Sequence, residues 1–566
     1  MKFNKLGAVI LILCVFIMVV NAVAAEENSL VGTDEGKLLL ENENQVVLLD
    51  DSNSDSNIKL SAANSQEELR SAEVGNYTEL QNLIDSNPNG TIELDRNYNY
   101  LSSEKYIIQI PHSITINGNG HKISGENYAM SFYIPNTTSH VTLNNITFVN
   151  GKYNSMLWIN GNNCIVDNCT FENNSASYGG AVYISGHDNV IDNCVFENNS
   201  ASYGGAVYIM GCDNSIQNST FKGNGEVYYG GAIAIDNARN SVYNCTFENN
   251  SATNSAGAVY ISSHDNVIDN CVFENNSATN SGGAVYIMGC DNSIQNSTFK
   301  GNGEVYYGGA IAIDNARNSV YNCTFENNNA KYYGGAVDIF STDNVVDNCT
   351  FKNNHVDYYG GAIALEKNDN LVNNSVFNNN SAGYGGAVYF LAKDNVIDNC
   401  TFENNGALCG GAVSMQSAHN LVNDSVFNNN SADYYGGAVY VIGDNNVIDN
   451  STFAENALNE DQGCGAAVYV CGNDVEILNS DFNNHNAYDG GAVKWLGSNG
   501  KIEGSKFNKN TAKCFGGAIH WEGVNGTIEG SKFNENRARY NGGAVYVAKP
   551  NLIINGSEFT INSANG

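Results

Sequence analysis

GGAVYIMGCDNSIQNSTFKGN, residues 204–224, is most of one unit of a repeat, and the same string returns at 282–302. Its Phe221 belongs to a column of 17 that runs from Phe148 through Phe171, Phe196, Phe247 and Phe273 to Phe559. Its Gly-Gly-Ala belongs to a second column, with Ala at 181, 206, 232 and on to 544, degenerate at Ala256-Gly257-Ala258 and Gly465-Ala466-Ala467. Every Ala-to-Phe interval is 15 residues, and every Phe-to-Ala interval is 10 or 11 except 14 between Phe453 and Ala467. Length therefore varies in one loop per repeat, and the rest is held in register.

Within a unit the alternation is that of strands. Five before each Phe stands Val, Ile or Leu, as at Val166, Ile191, Val320 and Ile554. That position has the wrong parity to share an inward face with Phe unless the chain turns between them. Three before Phe, 13 of 17 residues are Asn, among them Asn168, Asn193, Asn218 and Asn244. Asn tolerates left-handed backbone, so a corner there repairs the parity. A second corner is expected three after Phe, at Asn174, Asn199 and Asn224. Three short strands per unit, bent at Asn and stacked in register, predict an all-β fold: a right-handed, single-stranded parallel β-helix of about 17 turns of 25–26 residues. Phe then stacks on Phe, and Asn amides bond along the axis. Two before Phe, seven Cys (169, 194, 245, 271, 323, 349, 400) exchange with Ser as small buried fillers, expected as free thiols.

Outward from the repeat, the chain divides into four. Residues 161–566 are the repeat helix and 76–160 its N-terminal cap and first turns. The cap is read from the capping box Asn76-x-x-Glu79 and the stripe Leu80, Leu83, Ile84 on a short helix. Residues 26–75 form an acidic, disordered leader. Residues 1–25, with Lys2 and Lys5, an apolar run from Leu6 to Val20 and Ala22-Val23-Ala24, read as a secretory signal peptide. No later stretch is apolar enough to span a bilayer, so the chain is expected to be secreted and cell-surface associated. At the other end, Ile554 and Phe559 stand in an open turn, which invites end-to-end or edge association with another chain.

The 566 residues carry 59 acids against 26 bases, a net charge of −33, which excludes nucleic acid as the main partner. Gly-Gly-Ala-Val/Ile alternating with Phe-x-x-Asn resembles the polymorphic outer-membrane protein repeat. Together with the cap YTELQNLIDSNPNGTIELDRNYNY (77–100), the signal peptide and the Asn-rich texture, the chain resembles the adhesin-like proteins of methanogenic archaea. The resemblance implies a cell-surface place and a role in attachment to surface glycans or cell-surface proteins.

Two residues after each repeat Ala lies a column expected to face outward, with aromatic rings at Trp158, Tyr183, Tyr208, Tyr260, Tyr286, Tyr389, Tyr440, Tyr469 and Tyr546. Exposed rings suit sugars and protein partners; high β propensity is the alternative reading. The residue before Gly-Gly adds Tyr178, Tyr203, Tyr229 and others. Eight before Phe, Asp188, Asp213, Asp265 and Asp291 begin a carboxylate column that admits weak Ca²⁺ binding, against ordinary Asp-Asn turn chemistry. No cofactor or structural metal is otherwise implied. Residues 204–250 recur unchanged at 282–328, so Arg239 and Arg317 are copies, which suits a multivalent surface better than an active site. Asp338, Glu366, Lys494 and His520 are unrepeated. Lys494 and His520 share a column in adjacent turns and are expected as solvated outward positions. A non-catalytic adhesin is the expectation, with a β-helix polysaccharide lyase or epimerase, or an inert stalk, as alternatives.

Overall fold

A computed structural model describes residues 74–128, 132–225 and 227–565; the signal-peptide and leader readings lie outside these, apart from the leader's last two residues. The described residues form a right-handed parallel β-solenoid with a single short helix. One sheet of 20 strands carries the Phe column, a second of 19 the Val/Ile column, and a third of 18 the Ala-Val-x-Ile segments. All strand pairs are parallel, and those of the three main sheets are in register: Phe196 pairs with Phe171 and Phe221, Ile191 with Val166 and Ile216, Tyr208 with Tyr183 and Ala234. The solenoid has about 19 turns, two more than the Phe column marks: Thr91–Glu93, Tyr98–Asn99 and Ile108–Gln109 are the three strands of one added turn, and Ile114–Asn117, Lys122–Ser124 and Phe132–Ile134 those of the next. A fourth, interrupted ladder runs through the loop of variable length, as at Val305–Tyr307 and Asn329–Tyr333.

Both kinds of corner are present, one of them displaced. Asn168, Asn193 and Asn218 have φ of 49°, 52° and 51°, and every other position three before Phe is also left-handed. The second corner lies two residues after Phe, at Asn173 (56°) and Asn198 (54°), not three. The Asn three after Phe is instead a buried rung. Asn199 Nδ2 donates to the Phe171 carbonyl at 2.9 Å and to Asn224 Oδ1 at 3.0 Å, while its own Oδ1 accepts from Asn174. A second ladder, not foreseen, runs through Asn189, Asn214 and Asn240. These amides satisfy backbone N–H groups that the corners leave unpaired.

Phe rings stack down the core at 4.6–4.9 Å, nearly parallel, as in Phe196–Phe221 (4.6 Å, 1°) and Phe171–Phe196 (4.9 Å, 2°). The Gly-Gly pair answers two backbone demands. Gly204 has φ +61°, and a Cβ on Gly205 would collide with the Gly231 carbonyl oxygen of the next turn. The column cysteines are buried and free; Cys194 Sγ donates to the Asp192 carbonyl at 3.1 Å, and burial holds its thiol protonated. At the N-terminus Tyr77–Asp85 is helical; Asn76 Oδ1 accepts from Glu79 N at 2.9 Å, and Leu80 and Ile84 close the core. No helix among the described residues is long and apolar enough to cross a membrane.

Candidate functional site

The aromatic column two after the repeat Ala leaves the core as alternation requires, but much of it is covered. Tyr208 and Tyr389 are 5% and 4% exposed, Tyr260 and Tyr469 are buried too, and Trp158, Tyr183, Tyr286, Tyr440 and Tyr546 are half-buried. The expectation of a fully exposed face is thus corrected, and the cause is specific. The variable loop folds back, and its tyrosines lie on the column: Tyr178 on Tyr208 (5.1 Å between centroids), Tyr229 on Tyr260 (4.9 Å), Tyr359 on Tyr389 (4.7 Å), Tyr435 on Tyr469 (4.6 Å). Burial raises the Tyr260 hydroxyl to about 12, with the Asp236 carboxylate adding to it, so the phenol stays a neutral donor.

Further exposed rings stand one residue further out, beside the exposed Tyr178 and Tyr435. Where Tyr-Tyr precedes Gly-Gly at 228–229, 306–307 and 358–359, period-two alternation leaves the first ring exposed and the second half-buried. Tyr306 (40% exposed), the half-buried Tyr332 and Tyr358 (47%) form a ladder across three adjacent turns, each pair 5.5 Å apart and tilted by 29° and 33°. Lys331 Nζ stands 5.7 Å from the Tyr306 ring and 5.3 Å from that of Tyr332. Tyr228 and Tyr434 are exposed at the same place in other turns. The doublets at 228–229, 306–307, 332–333, 358–359 and 434–435 were the signal for this ridge.

The column is not aromatic throughout. At three turns where it holds Ala234, Ala312 and Ala364, an acid stands two residues on, at Asp236, Asp314 and Glu366. The missing ring lets the tyrosine of the turn before reach across: Tyr286 Oη donates to Asp314 at 3.1 Å, and Tyr208 to Asp236.

Lys494 and His520 are each only 5% exposed, which corrects their reading as solvated. Lys494 Nζ lies 2.9 Å from His520 Nδ1, 2.5 Å from Glu522 and 3.9 Å from Asp489; His520 Nδ1 is 3.4 Å from Asp489. Phe515 and Tyr546 pack edge-on against the imidazole and hold it out of water. Burial alone would raise both carboxyls, but hydrogen bonds from His520 to Asp489 and from Lys494 to Glu522, with the nearby positive charge, bring both below their ordinary values.

Asp188, Asp213, Asp265 and Asp291 sit at a further left-handed corner, with φ of 57–59°. Their oxygens are engaged: Asp188 and Asp265 face His187 and His264 at 2.7 and 2.8 Å, and Asp213 and Asp291 take both arms of Arg239 and Arg317. No cluster of three or more His, Cys, Asp or Glu placed to hold a metal occurs among the described residues.

Comparison with known proteins adds three family matches. Residues 133–253 and 231–391 match the right-handed β-helix region, 71–184 a pectate lyase-like adhesive domain, and 424–442 the Chlamydia polymorphic membrane protein repeat. No curated protein matches the chain. Among solved structures, a mutant of the PL6 family alginate lyase AlyGC is similar at 11% identity and TM-score 0.37, over 87% of this chain and 97% of that one. A tailspike protein mutant of E. coli bacteriophage HK620, in complex with a hexasaccharide, is similar at 12% identity and TM-score 0.30, over 85% and 74%. The expectations of a β-helix scaffold and of repeats of the polymorphic membrane protein type are met at these places in the chain.

Proposed function

We propose that the chain is a secreted, surface-displayed attachment protein without catalytic activity, of the kind its adhesin-like resemblance implies, and that it holds glycans on the exposed tyrosine ladder. The observation that carries this reading is the run Tyr306–Tyr332–Tyr358, three rings at one spacing along one line, the outer two exposed and the middle one half-buried. Flat apolar faces with a polar tip take sugar rings at low entropic cost, and repetition along the axis gains by avidity. The match of residues 71–184 to an adhesive domain supports it. The net charge of −33 favours neutral or cationic glycans over acidic ones. Cell-surface proteins are the other partner class.

The test is a glycan array probed with the whole protein and with a Tyr306→Ser, Tyr332→Ser, Tyr358→Ser triple variant. Each single change should lower binding about fivefold or less and the triple change by about a hundredfold, since stacked rings contribute on the order of 1 kcal/mol each. Undiminished binding in a folded triple variant removes the ladder from the reading. One observation favours a lyase or epimerase instead: the buried Lys494–His520 pair, with its carboxylates, groups basic side chains out of water. Release of product from any polysaccharide, abolished by Lys494→Met or His520→Gln alone, would overturn the non-catalytic reading.

A further inference from the structure

The tyrosine column is broken for three consecutive turns, where Tyr286 is followed by Ala312, Asp338 and Ala364 before Tyr389 resumes it. At the break lies a cavity of about 370 Å³ walled by four rings, Tyr286, Tyr307, Tyr333 and Phe340, and by the carboxylates of Asp314 and Glu366. Tyr307 and Phe340 meet at 74° with centroids 5.7 Å apart, and Tyr333 runs beside Tyr307 at 6.1 Å, so the rings form a corner. No Lys, Arg or His lines it.

The internal duplication supplies a comparison within the molecule. Residues 204–250 and 282–328 are identical, so Ala234 and Tyr229 match Ala312 and Tyr307. After Ala234 the next turn brings Tyr260, whose ring meets Tyr229 at 4.9 Å and closes the gap in a buried cluster. After Ala312 the same position is Asp338, and the gap stays open. Asp338 is fully buried with neither carboxylate oxygen hydrogen-bonded, and Glu366 Oε1 beside it also has no partner. Burial pushes both carboxyls up, Glu366 to about 7, with only Lys367, outside the lining, drawing it back. The wall thus holds Glu366, one carboxylate oxygen of which has no partner, beside the unpartnered Asp338 and among faces that attract cations.

We propose that this cavity binds an organic ammonium ion, held by cation–π contact with Tyr307, Tyr333 and Phe340 and neutralised by Glu366 and Asp314. Ca²⁺ and Mg²⁺ want six or more oxygens, and the aromatic faces supply none. The proposal does not depend on the glycan reading of the exposed ladder.

Calorimetric titration of the whole protein with tetramethylammonium and with choline should show saturable binding. The uncharged choline analogue 3,3-dimethylbutan-1-ol should bind about tenfold more weakly or less, in line with a desolvated cation–π contact. Asp338→Tyr, which restores the pattern around Tyr260, should abolish binding, and Glu366→Gln should weaken it several-fold with the melting curve retained. If Asp338→Tyr does not fold, Glu366→Gln and Phe340→Leu decide. Absence of saturable heat, equal affinity for the neutral alcohol, undiminished binding in Glu366→Gln, or displacement of the ammonium ion by Ca²⁺ would each overturn the assignment.

Discussion

Arg239 reaches down one turn and grips Asp213 with two parallel hydrogen bonds, Nε and Nη2 each 2.8 Å from a carboxylate oxygen. Both residues occupy the same left-handed corner column, so a cation stands in a line of acids. Hydrogen bonding by Arg239, with Cys212 second, lowers the Asp213 carboxyl to about 2. Because the folded value lies below the unfolded one, the pair adds stability above about pH 4 and loses it as pH falls towards 2. Arg239→Ala should return Asp213 to the ordinary range in a carboxyl ¹³C titration, with little effect on melting, since the pair is exposed and screened by salt. An unmoved Asp213 would show that the arginine does not set its ionisation.

Core and loop should separate cleanly in urea. Phe299→Ala removes a fully buried ring from the stack and should cost ~3–5 kcal/mol. Asn302→Ala strands the N–H groups of Asn276 and the Phe273 carbonyl, at ~1–3 kcal/mol for each group left unpaired. Asn280→Ala, on an exposed loop side chain, should change stability by no more than about 0.5 kcal/mol. Equal losses at all three sites would contradict the assignment of Phe299 and Asn302 to the interior and Asn280 to the surface.

Removing residues 205–282 joins Gly204 to Gly283 and excises three turns while every column stays in register. The product should fold and be shorter by ~14 Å in small-angle scattering, at the strand spacing of a parallel sheet. Aggregation of this variant beside a folded parent would count against equivalence of the turns.

Lys494→Met leaves Asp489 and Glu522 facing each other around His520 without their buried cation, and should cost ~3–5 kcal/mol. The loss should be pH-dependent. Both carboxyls are held below their unfolded values, so the wild-type cluster contributes above about pH 4 and fades as pH drops through the depressed values. Melting of wild type and variant should therefore converge in acid. A gap that stays constant from pH 7 to pH 3 would mean that packing, not charge, is what the substitution removes.

Much of this architecture is legible in spacing. The interval of 15 from Ala to Phe fixes two strands and the corner between them, and Asn168 is left-handed because parity demanded a turn there. Spacing does not say which of two neighbouring Asn turns and which bonds: Asn173 bends and Asn174 goes inside, although each can do both. Alternation likewise fixes which way Tyr208 points but not that Tyr178 will lie over it, because covering depends on a loop of variable length. Lys494 and His520 looked solvated because charge is ordinarily outward; only the juxtaposition of Asp489 and Glu522, five residues before the one and two after the other, makes their burial tolerable.

The parallel hydrogen bonds point along the axis, and each turn is held by its neighbours alone. Tension between the two ends would therefore load one rung after another, never all at once as in a sheared sheet. Every turn that gives way frees 25–26 residues, about 80–90 Å of slack at the reach of an extended chain. A molecule built this way lengthens in even steps under load and dissipates work at each, so an attachment made by its face can survive a pull that would snap a stiff tether.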